Sequence, residues 1–279
     1  TLTVTNSSFT NNKATSTGIS GNGVAIYGTT VIIVSSNFTS NTATSTYSSD
    51  YGHYGQGGAI YGTSVTVMDN STFYNNYASR IGGGIYGYNK VNVTESVFIN
   101  NTATGQYQLR GGGGICSYGT TYVSDSIFIN NTAVNRAGAL STEGLLTLSN
   151  SIFYNNIGTD GGAIYTNTGA SIVGSTFIGN EANSYGGRGG AIYFEYRGAL
   201  IVEDSVFIGN AALADGGAIY TEDNAPISIL RTNFTNNTPN AISRTSKSTS
   251  TASTITDSNF NAPYIPFISN KGGQITVTN

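Results

Sequence analysis

The side chains of this chain that could do chemistry are a few carboxylates. Two acidic pairs are adjacent in sequence, Glu203–Asp204 and Glu222–Asp223, and Asp160 and Asp215 each precede a Gly-Gly-Ala-Ile-Tyr motif. Converging carboxylates act as acid and base in polysaccharide cleavage. Neighbours on a strand face opposite ways, so neither adjacent pair should converge on one substrate. We expect no catalytic residues, and Asp160 and Asp215 are the positions that would test this.

Metal and thiol chemistry have even fewer candidates. His53 and Cys116 are the only histidine and the only cysteine, which rules out an intrachain disulfide and a thiolate cluster for zinc. His53 lies in a loop rich in Tyr, Ser and Gly and is interpreted as a solvated residue. Cys116 stands where other repeats place tyrosine and is interpreted as a neutral replacement. The Gly-Gly-x-Gly-x-Asp calcium repeat does not recur. We therefore expect no cofactor and no metal.

Composition excludes two further classes of function. The 279 residues carry a net charge of −3 with 9% charged side chains, so no basic surface is available for nucleic acid. No stretch approaches 18 consecutive apolar residues, and no membrane span is expected in this segment. The chain begins at Thr1, which fits a mature product or a piece of something longer. Sequons, candidate N-glycosylation sites that fit an extracellular location, occur at Asn6, Asn37, Asn70, Asn92, Asn100, Asn130, Asn233 and Asn236.

Any site must be positioned by a repeat, because ten phenylalanines recur at intervals of 24 to 35 residues. A period in this range is typical of solenoids. The residue five before each phenylalanine is apolar, the residue two before is Ser or Thr, and the residue three after is Asn in nine repeats. The phenylalanines are Phe9, Phe38, Phe73, Phe98, Phe128, Phe153, Phe177, Phe207, Phe234 and Phe260.

These columns assign a role to each part of a repeat. The apolar residues predict one strand, and Ser and Phe predict the inner face of a second. Asn is expected to adopt left-handed backbone angles at a corner and to form an amide ladder between coils. Gly-Gly-Ala-Ile-Tyr is expected to form a third element. Strand alternation then turns a stripe of tyrosines outward, with a stacking role favoured over a partner surface: Tyr27, Tyr61, Tyr86, Tyr165, Tyr193 and Tyr220.

Together the columns predict an all-β fold, a single-stranded right-handed parallel β-helix of about ten coils of ~28 residues with three short strands per coil. Regular coils are expected over residues 1–238. The pattern frays after Asn237, and all four prolines lie in the last fifth of the chain. Residues 239–279 are therefore expected to form irregular final coils or a capping region of the same solenoid.

Insertions concentrate at one corner of the coil, between the Asn/Ala turn and the Gly-Gly element, which we call the loop corner. In solenoids, insertions often mark the binding face. The longest inserted segments are Thr44–Gln56, Thr104–Arg110 and Asn183–Arg188. The candidate partner-binding residues in them are Tyr47, Tyr51, His53, Tyr54, Tyr107, Arg110, Tyr185 and Arg188.

Phe-x-x-Asn alternating with Gly-Gly-Ala-Ile over nearly the whole chain resembles the polymorphic outer-membrane protein repeat. Segments such as Thr1–Asn12 and Gly161–Tyr165 look especially like adhesin-like surface proteins of methanogenic archaea. The resemblance implies a right-handed β-helix displayed outside the cell as an adhesin or coat component, and it brings no catalytic residues. The alternative is a pectin-lyase-like enzyme acting on polysaccharides, because that activity occurs on the same fold class.

Two partners follow from this interpretation. The loop corner is expected to bind glycans or proteins of a host or cell surface. The chain itself is the other partner, since Leu2–Asn6 and Ile275–Asn279 read alike and unpaired strand edges can template another chain. End-to-end stacking into a filament or coat is therefore expected.

Overall fold

The computed structural model describes residues 1–16, 23–45, 55–105, 111–222, 225–245, 252–262, 267–272 and 274–278. Every regular element in these ranges is a β-strand, and the ranges contain no helix that is long and apolar enough to cross a membrane. The strands pair in parallel and build three sheets, in about nine turns with a spacing of ~27 residues. The predicted all-β parallel solenoid with three strands per coil is confirmed.

The three sheets run side by side along the solenoid. Strands of the first sheet are Leu2–Thr5, Ile26–Val34, Ile60–Met68, Ile85–Thr94, Ile115–Ser117, Thr120–Ser124, Leu140–Thr142, Leu146–Ser149, Ile164–Val173, Ile192–Glu203, Ile219–Thr221, Ile227–Leu230, Ile242–Thr245, Ala252–Thr256, Ile268–Lys271 and Gln274–Thr278. Strands of the second are Ser8–Thr10, Asn37–Thr39, Thr72–Tyr74, Val97–Ile99, Ile127–Ile129, Ile152–Tyr154, Thr176–Ile178, Val206–Ile208, Asn233–Thr235 and Asn259–Asn261. Strands of the third are Lys13–Ser16, Thr42–Ser45, Tyr77–Ala78, Thr102–Ala103, Thr132–Ala133, Ile157–Gly158, Glu181–Ala182 and Ala211–Ala212.

The first sheet corrects the predicted division of a coil. The Ile and Tyr of the Gly-Gly element run directly into the apolar strand of the next coil, as in Ile60–Met68, so the two share one sheet. A glycine marks the bend between them: a Cβ at Gly62 would lie 2.7 Å from Val65 Cγ2. The third sheet is formed instead by the residues around the alanine column, for example Thr42–Ser45.

The core is a stack of identical side chains. Phenylalanine rings of the second sheet lie parallel in successive coils, with centroids 4.7 Å apart for Phe128 and Phe153 and 4.8 Å apart for Phe98 and Phe128. The apolar residues of the first sheet, such as Val123 and Leu148, complete the same cluster. Because the same side chains stack in successive coils, the core side chains are almost completely buried even though the core is only one coil wide.

The asparagine column forms the predicted ladder. Asn131 Nδ2 donates to Asn156 Oδ1 at 3.0 Å and to the backbone oxygen of Phe98 at 2.9 Å. The bond to the next asparagine repeats from Asn12 to Asn237, and the bond to a phenylalanine oxygen from Asn41 to Asn237. The predicted backbone angle was wrong, because the left-handed residue is the one before, as in Asn130 with φ 52°.

Serine and glycine close the remaining corners. Ser126 N donates to Ser151 Oγ at 3.1 Å, and Ser126 Oγ donates to the oxygen of Ser124 at 2.7 Å, so a buried hydroxyl ladder follows the bend before the second sheet. In the Gly-Gly element, Gly161 has φ +68°, and a Cβ at Gly162 would lie 2.1 Å from the oxygen of Gly190 in the next coil. Only glycine fits both positions.

The first two sheets extend further than the third. Within the part of the chain that the structure describes, the third ends at Ala211–Ala212 and is followed by a single bridge to Thr238, whereas the other two run on to Gln274–Thr278 and Asn259–Asn261. In this last part of the described chain, Phe260 still stacks on Phe234 at 4.9 Å.

Candidate functional site

The predicted loop residues fall into two groups. Six lie outside the described residues: Tyr47, Tyr51, His53, Tyr54, Tyr107 and Arg110. The other two are described, and they behave differently. Tyr185 is fully exposed. Arg188 is half-buried, and its Nη1 donates to Glu222 Oε1 at 3.3 Å. Of the two, only Tyr185 presents its whole side chain to solvent.

The tyrosine stripe does point away from the main core, but its predicted exposure was wrong. Tyr86, Tyr165, Tyr193 and Tyr220 are all buried, and only Tyr27, at 67%, is strongly exposed. The rings stack along the solenoid as expected, with Tyr165 and Tyr193 centroids 5.6 Å apart. They form two clusters outside the core: Cys116 ends the first, and Ser141 lies between the two in the same column.

Charged side chains from both sides of the column bury these rings. The Arg136 guanidinium lies 4.4 Å from the Tyr165 ring centroid and 5.9 Å from that of Tyr193. It also pairs with Asp160 and with Glu195, each at 3.8 Å. The Tyr165 hydroxyl donates to Glu195 Oε2. A cation thus covers the ring faces while a carboxylate accepts from the hydroxyl, which satisfies the polar tip of a buried tyrosine.

A similar arrangement recurs further along, with the hydrogen bond from tyrosine to glutamate one coil on and the arginine two coils on. Arg188 lies 5.0 Å from the Tyr220 ring centroid and pairs with Glu222 at 3.3 Å. Glu222 Oε2 accepts from the Tyr193 hydroxyl at 2.5 Å. The Tyr220 hydroxyl forms a hydrogen bond with Thr245 Oγ1 at 3.1 Å. We call this assembly the charged roof: Arg136, Asp160, Arg188, Glu195 and Glu222.

Three residues of the charged roof belong to an alternating charge column that sequence reasoning missed. Arg136, Asp160, Arg188 and Asp215 each immediately precede the Gly-Gly element of their own coil. Arg188 N donates to Asp160 Oδ1 at 3.3 Å, and the backbone of Arg188 forms an isolated parallel β-bridge with the backbone of Asp215. An arginine therefore lies between the two aspartates, Asp160 and Asp215, that the sequence singled out. Aligning the residue before each Gly-Gly element would have revealed the alternation.

Burial sets the ionisation of this cluster. It raises the pKa of Tyr193, and the hydrogen bond to the Glu222 carboxylate raises it further. Burial also raises the pKa of Asp160, against the opposing charge of Arg136. Burial acts on Asp215 in the same sense, but hydrogen bonds from Lys271 and Asn240 outweigh it and lower the pKa of that carboxyl. At neutral pH the tyrosines are therefore protonated donors, a state suited to stacking and hydrogen bonding.

The comparison with family models matches five segments: 35–63, 70–88, 95–118, 174–195 and 204–222. All five match the Chlamydia polymorphic membrane protein repeat. This chain carries polymorphic membrane protein repeats. The matches include the phenylalanine strands, the asparagine ladder and the Gly-Gly elements described above, in coils both before and after the middle of the solenoid. No curated protein and no solved structure matches the chain.

Polymorphic membrane proteins are surface proteins of the adhesin type, and the family is not known for enzymatic activity. Several carboxylates of the described residues have structural partners. Asp204 forms a bidentate pair with Arg231 at 2.6 and 2.8 Å, while Asp215 accepts from Lys271 at 2.5 Å and from Asn240 at 3.2 Å. Among the described residues, no group of three His, Cys, Asp or Glu side chains is placed to hold a metal ion.

The sequons of these repeats lie on the outside of the solenoid. Asn92 and Asn100 are half-buried, and the other six asparagines are exposed. Several stand at left-handed corners, for example Asn130 and Asn236. Glycosylation of these sites stays a prediction, as does the likeness to archaeal adhesin-like proteins.

Proposed function

We propose that this chain is the β-helical part of a surface-displayed adhesive protein and that it binds partners through the loop corner. A surface location fits the family whose repeats the chain carries. The partner class is a glycan or a protein of a host or cell surface. The observation that carries the proposal is the presentation of Tyr185 at this corner.

Tyr185 sits on a turn that is fixed at both sides. Ser184 Oγ donates to the oxygen of Thr159 at 3.1 Å, which ties the turn to the preceding coil. Gly187 N donates to the oxygen of Ser184 at 2.8 Å, and the oxygen of Gly187 accepts from Ala214 N at 2.9 Å in the following coil. A large aromatic side chain held in solvent by a rigid turn loses little conformational entropy on binding, which favours it as an anchor residue.

Unlike Tyr185, the charged and aromatic side chains beside this turn already have partners within the protein. The charges beside the turn are largely neutralised by each other in the charged roof, and the tyrosines below them are covered. Groups already paired have little to offer an incoming ligand, because their hydrogen bonds would first have to be broken. A partner that binds Tyr185 can therefore bury the whole surface of this side chain as new contact area.

The test compares Tyr185→Ala with Tyr122→Ala, a matched change at an exposed tyrosine on the outer face of the first sheet. Binding of the purified chain to cultured cells and to a glycan array is measured at equal concentration. We expect Tyr185→Ala to weaken binding about tenfold or more, the effect of a hot-spot residue, and Tyr122→Ala to leave it unchanged. Equal binding by both variants and the unchanged chain would contradict the proposal.

End-to-end assembly is the second part of the proposal. Val4 pairs with Ile33 and Val277 pairs with Ile255, so the first and last described strands hold valines in the same column of the first sheet. A second copy could continue that column. Electron microscopy of the purified chain tests it: filaments longer than one solenoid are expected, and particles that never exceed one solenoid in length would refute it.

A further inference from the structure

The outer face of the second sheet carries an apolar surface that neither the repeat nor the loop corner accounts for. Each of its strands is three residues long and points its phenylalanine inward, so the residues on either side face solvent. In the middle of the solenoid these flanking residues are almost all Ile, Val or Tyr. We call this surface the outer ribbon: the flanking residues of Val97–Ile99, Ile127–Ile129, Ile152–Tyr154, Thr176–Ile178 and Val206–Ile208.

The outer ribbon is confined to the middle coils. At one end of the sheet, the flanking residues of Ser8–Thr10 and Asn37–Thr39 are polar. At the other end, those of Asn233–Thr235 and Asn259–Asn261 are polar too. Threonine has high β-propensity, so strand formation does not require isoleucine at a solvent-facing position. Ile152 and Tyr154 are 41% and 42% exposed, and a contiguous apolar band of this kind marks an interaction surface.

The two long edges of the ribbon differ in charge. Three residues before the phenylalanine of each ribbon strand lies an exposed edge with three carboxylates, of which Asp204 is paired with Arg231 of the next coil; the edge consists of Glu95, Asp125, Asn150, Gly174 and Asp204. Two residues after each phenylalanine lies an edge of neutral left-handed residues, among them Asn100, Asn130 and Asn155. One edge therefore accepts hydrogen bonds through carboxylates, and the other can donate them through amides.

We propose that the outer ribbon packs against the outer ribbon of a second copy of this chain, with the two solenoids side by side and pointing the same way. A two-fold rotation about an axis parallel to the solenoid brings the acidic edge of one copy opposite the asparagine edge of the other. The reverse orientation would bring acidic edge against acidic edge, where like charges repel. Hydrogen bonds from amides to carboxylates in one orientation, and repulsion between carboxylates in the other, thus favour a second copy that points the same way.

The area of this face suits a stable pair. The ten strands of the second sheet, ~4.8 Å apart and with five residue steps of ~3.3 Å between the two edges, give about 800 Å² per copy, of which the five ribbon strands supply about 400 Å². With the ribbon as the apolar centre and the polar end strands as part of the rim, the whole face has the size and composition of a standard protein–protein interface. Flat parallel sheets also pack face to face at ~10 Å without rearrangement.

The first experiment measures oligomeric state by sedimentation velocity from about 1 to 100 μM. The ribbon variant is Ile127→Thr, Ile129→Thr and Ile152→Thr; the control is Val134→Thr and Leu213→Thr, two exposed apolar residues outside the ribbon. We expect dimers for the unchanged chain and the control, and at least about 30-fold weaker dimerisation for the ribbon variant. A monomeric unchanged chain, or a folded ribbon variant that dimerises equally well, would overturn the proposal.

The second experiment tests the direction and does not depend on the ribbon variant folding. Asn130→Lys and Asn130→Glu place opposite charges at the same left-handed corner, so backbone strain is matched. In the proposed orientation each new charge faces the acidic edge of the partner, so at low salt Lys should tighten dimerisation and Glu should weaken it. Weakening by Lys would overturn the shared direction. Both readouts are independent of cell binding through Tyr185.

Discussion

The asparagine ladder predicts that two chemically identical substitutions, at different coils, lower the free energy of unfolding by very different amounts. In the middle of the solenoid, Asn131 Oδ1 accepts from Asn101 N at 3.0 Å and from Asn101 Nδ2 at 2.9 Å, while Asn131 Nδ2 donates to Phe98 and Asn156. Asn131→Ala removes all four of these hydrogen bonds at a buried site. At the first coil, Asn12 is half-buried and its side chain makes one bond, to Asn41 Oδ1 at 2.8 Å.

The magnitude follows from the groups left behind. After Asn131→Ala, Asn101 N–H, one Asn101 Nδ2–H and the Phe98 oxygen lose these hydrogen bonds inside the protein. Each of these three unsatisfied buried groups costs about 1–3 kcal/mol, so we expect the free energy of unfolding to fall by about 3–9 kcal/mol. Asn12→Ala leaves Asn41 Oδ1 bonded to the backbone N–H of residue 12 and should cost less than about 1 kcal/mol.

Urea denaturation followed by far-UV circular dichroism is the appropriate assay, because the chain has no tryptophan. Coils of a solenoid can unfold in parts, so the midpoint and the slope are both compared among the three proteins. An Asn131→Ala midpoint within error of that of Asn12→Ala would refute the reasoning, since it would mean that the interior amides do not need their partners.

Further predictions concern backbone fit, the charged roof and pH, each measured by the same denaturation assay. Gly162→Ala should destabilise strongly because its Cβ meets backbone 2.1 Å away, whereas Gly209→Ala, with φ +60° and nothing within 4 Å, should cost only about 1 kcal/mol; equal losses would contradict this. Arg136→Ala should cost about 1–2 kcal/mol and shift tyrosine absorbance as rings become hydrated, and an unchanged spectrum would count against the roof. The raised pKa of Asp160 gives stability that is present below its unfolded value and lost as pH rises through the folded value, so Asp160→Asn should reduce that loss. The lowered pKa of Asp215 gives stability that is present above its unfolded value and lost as pH falls through the folded value, so Asp215→Asn should lessen acid sensitivity; the same sign for both variants would refute the assignment.

The core of this fold is readable from sequence because each inner column is a one-dimensional pattern. Phenylalanine, asparagine and the apolar residue five before Phe each repeat with the coil, and the stacking in the structure follows from that repetition. The corner geometry was less predictable. Asn131 and Asn130 are neighbours of the same type, and only the backbone reveals that Asn130 adopts the left-handed angles while Asn131 forms the ladder.

The outer features were missed for a different physical reason. Strand alternation reports whether a side chain points inward or outward, but it does not report what covers an outward one. Tyr165 and Tyr193 point outward and are buried because Arg136 and Glu195 reach across from other parts of the coil. Long side chains cover surface well beyond their own Cα position, so burial here depends on neighbours that a single column does not contain.

The asparagine ladder also gives the solenoid a polarity. From Asn12 to Asn210, each side-chain nitrogen donates to the asparagine oxygen of the coil that follows, so the asparagine-to-asparagine bonds all point one way along the axis. From Asn41 to Asn237, the same nitrogen also donates to a phenylalanine oxygen of the coil that precedes. Aligned hydrogen bonds of this kind strengthen one another through polarisation. A coil inserted in the reverse direction would set donor against donor at one boundary and acceptor against acceptor at the other. Duplication of whole coils in the forward sense preserves every bond, so the array can lengthen by repetition without redesigning its interior.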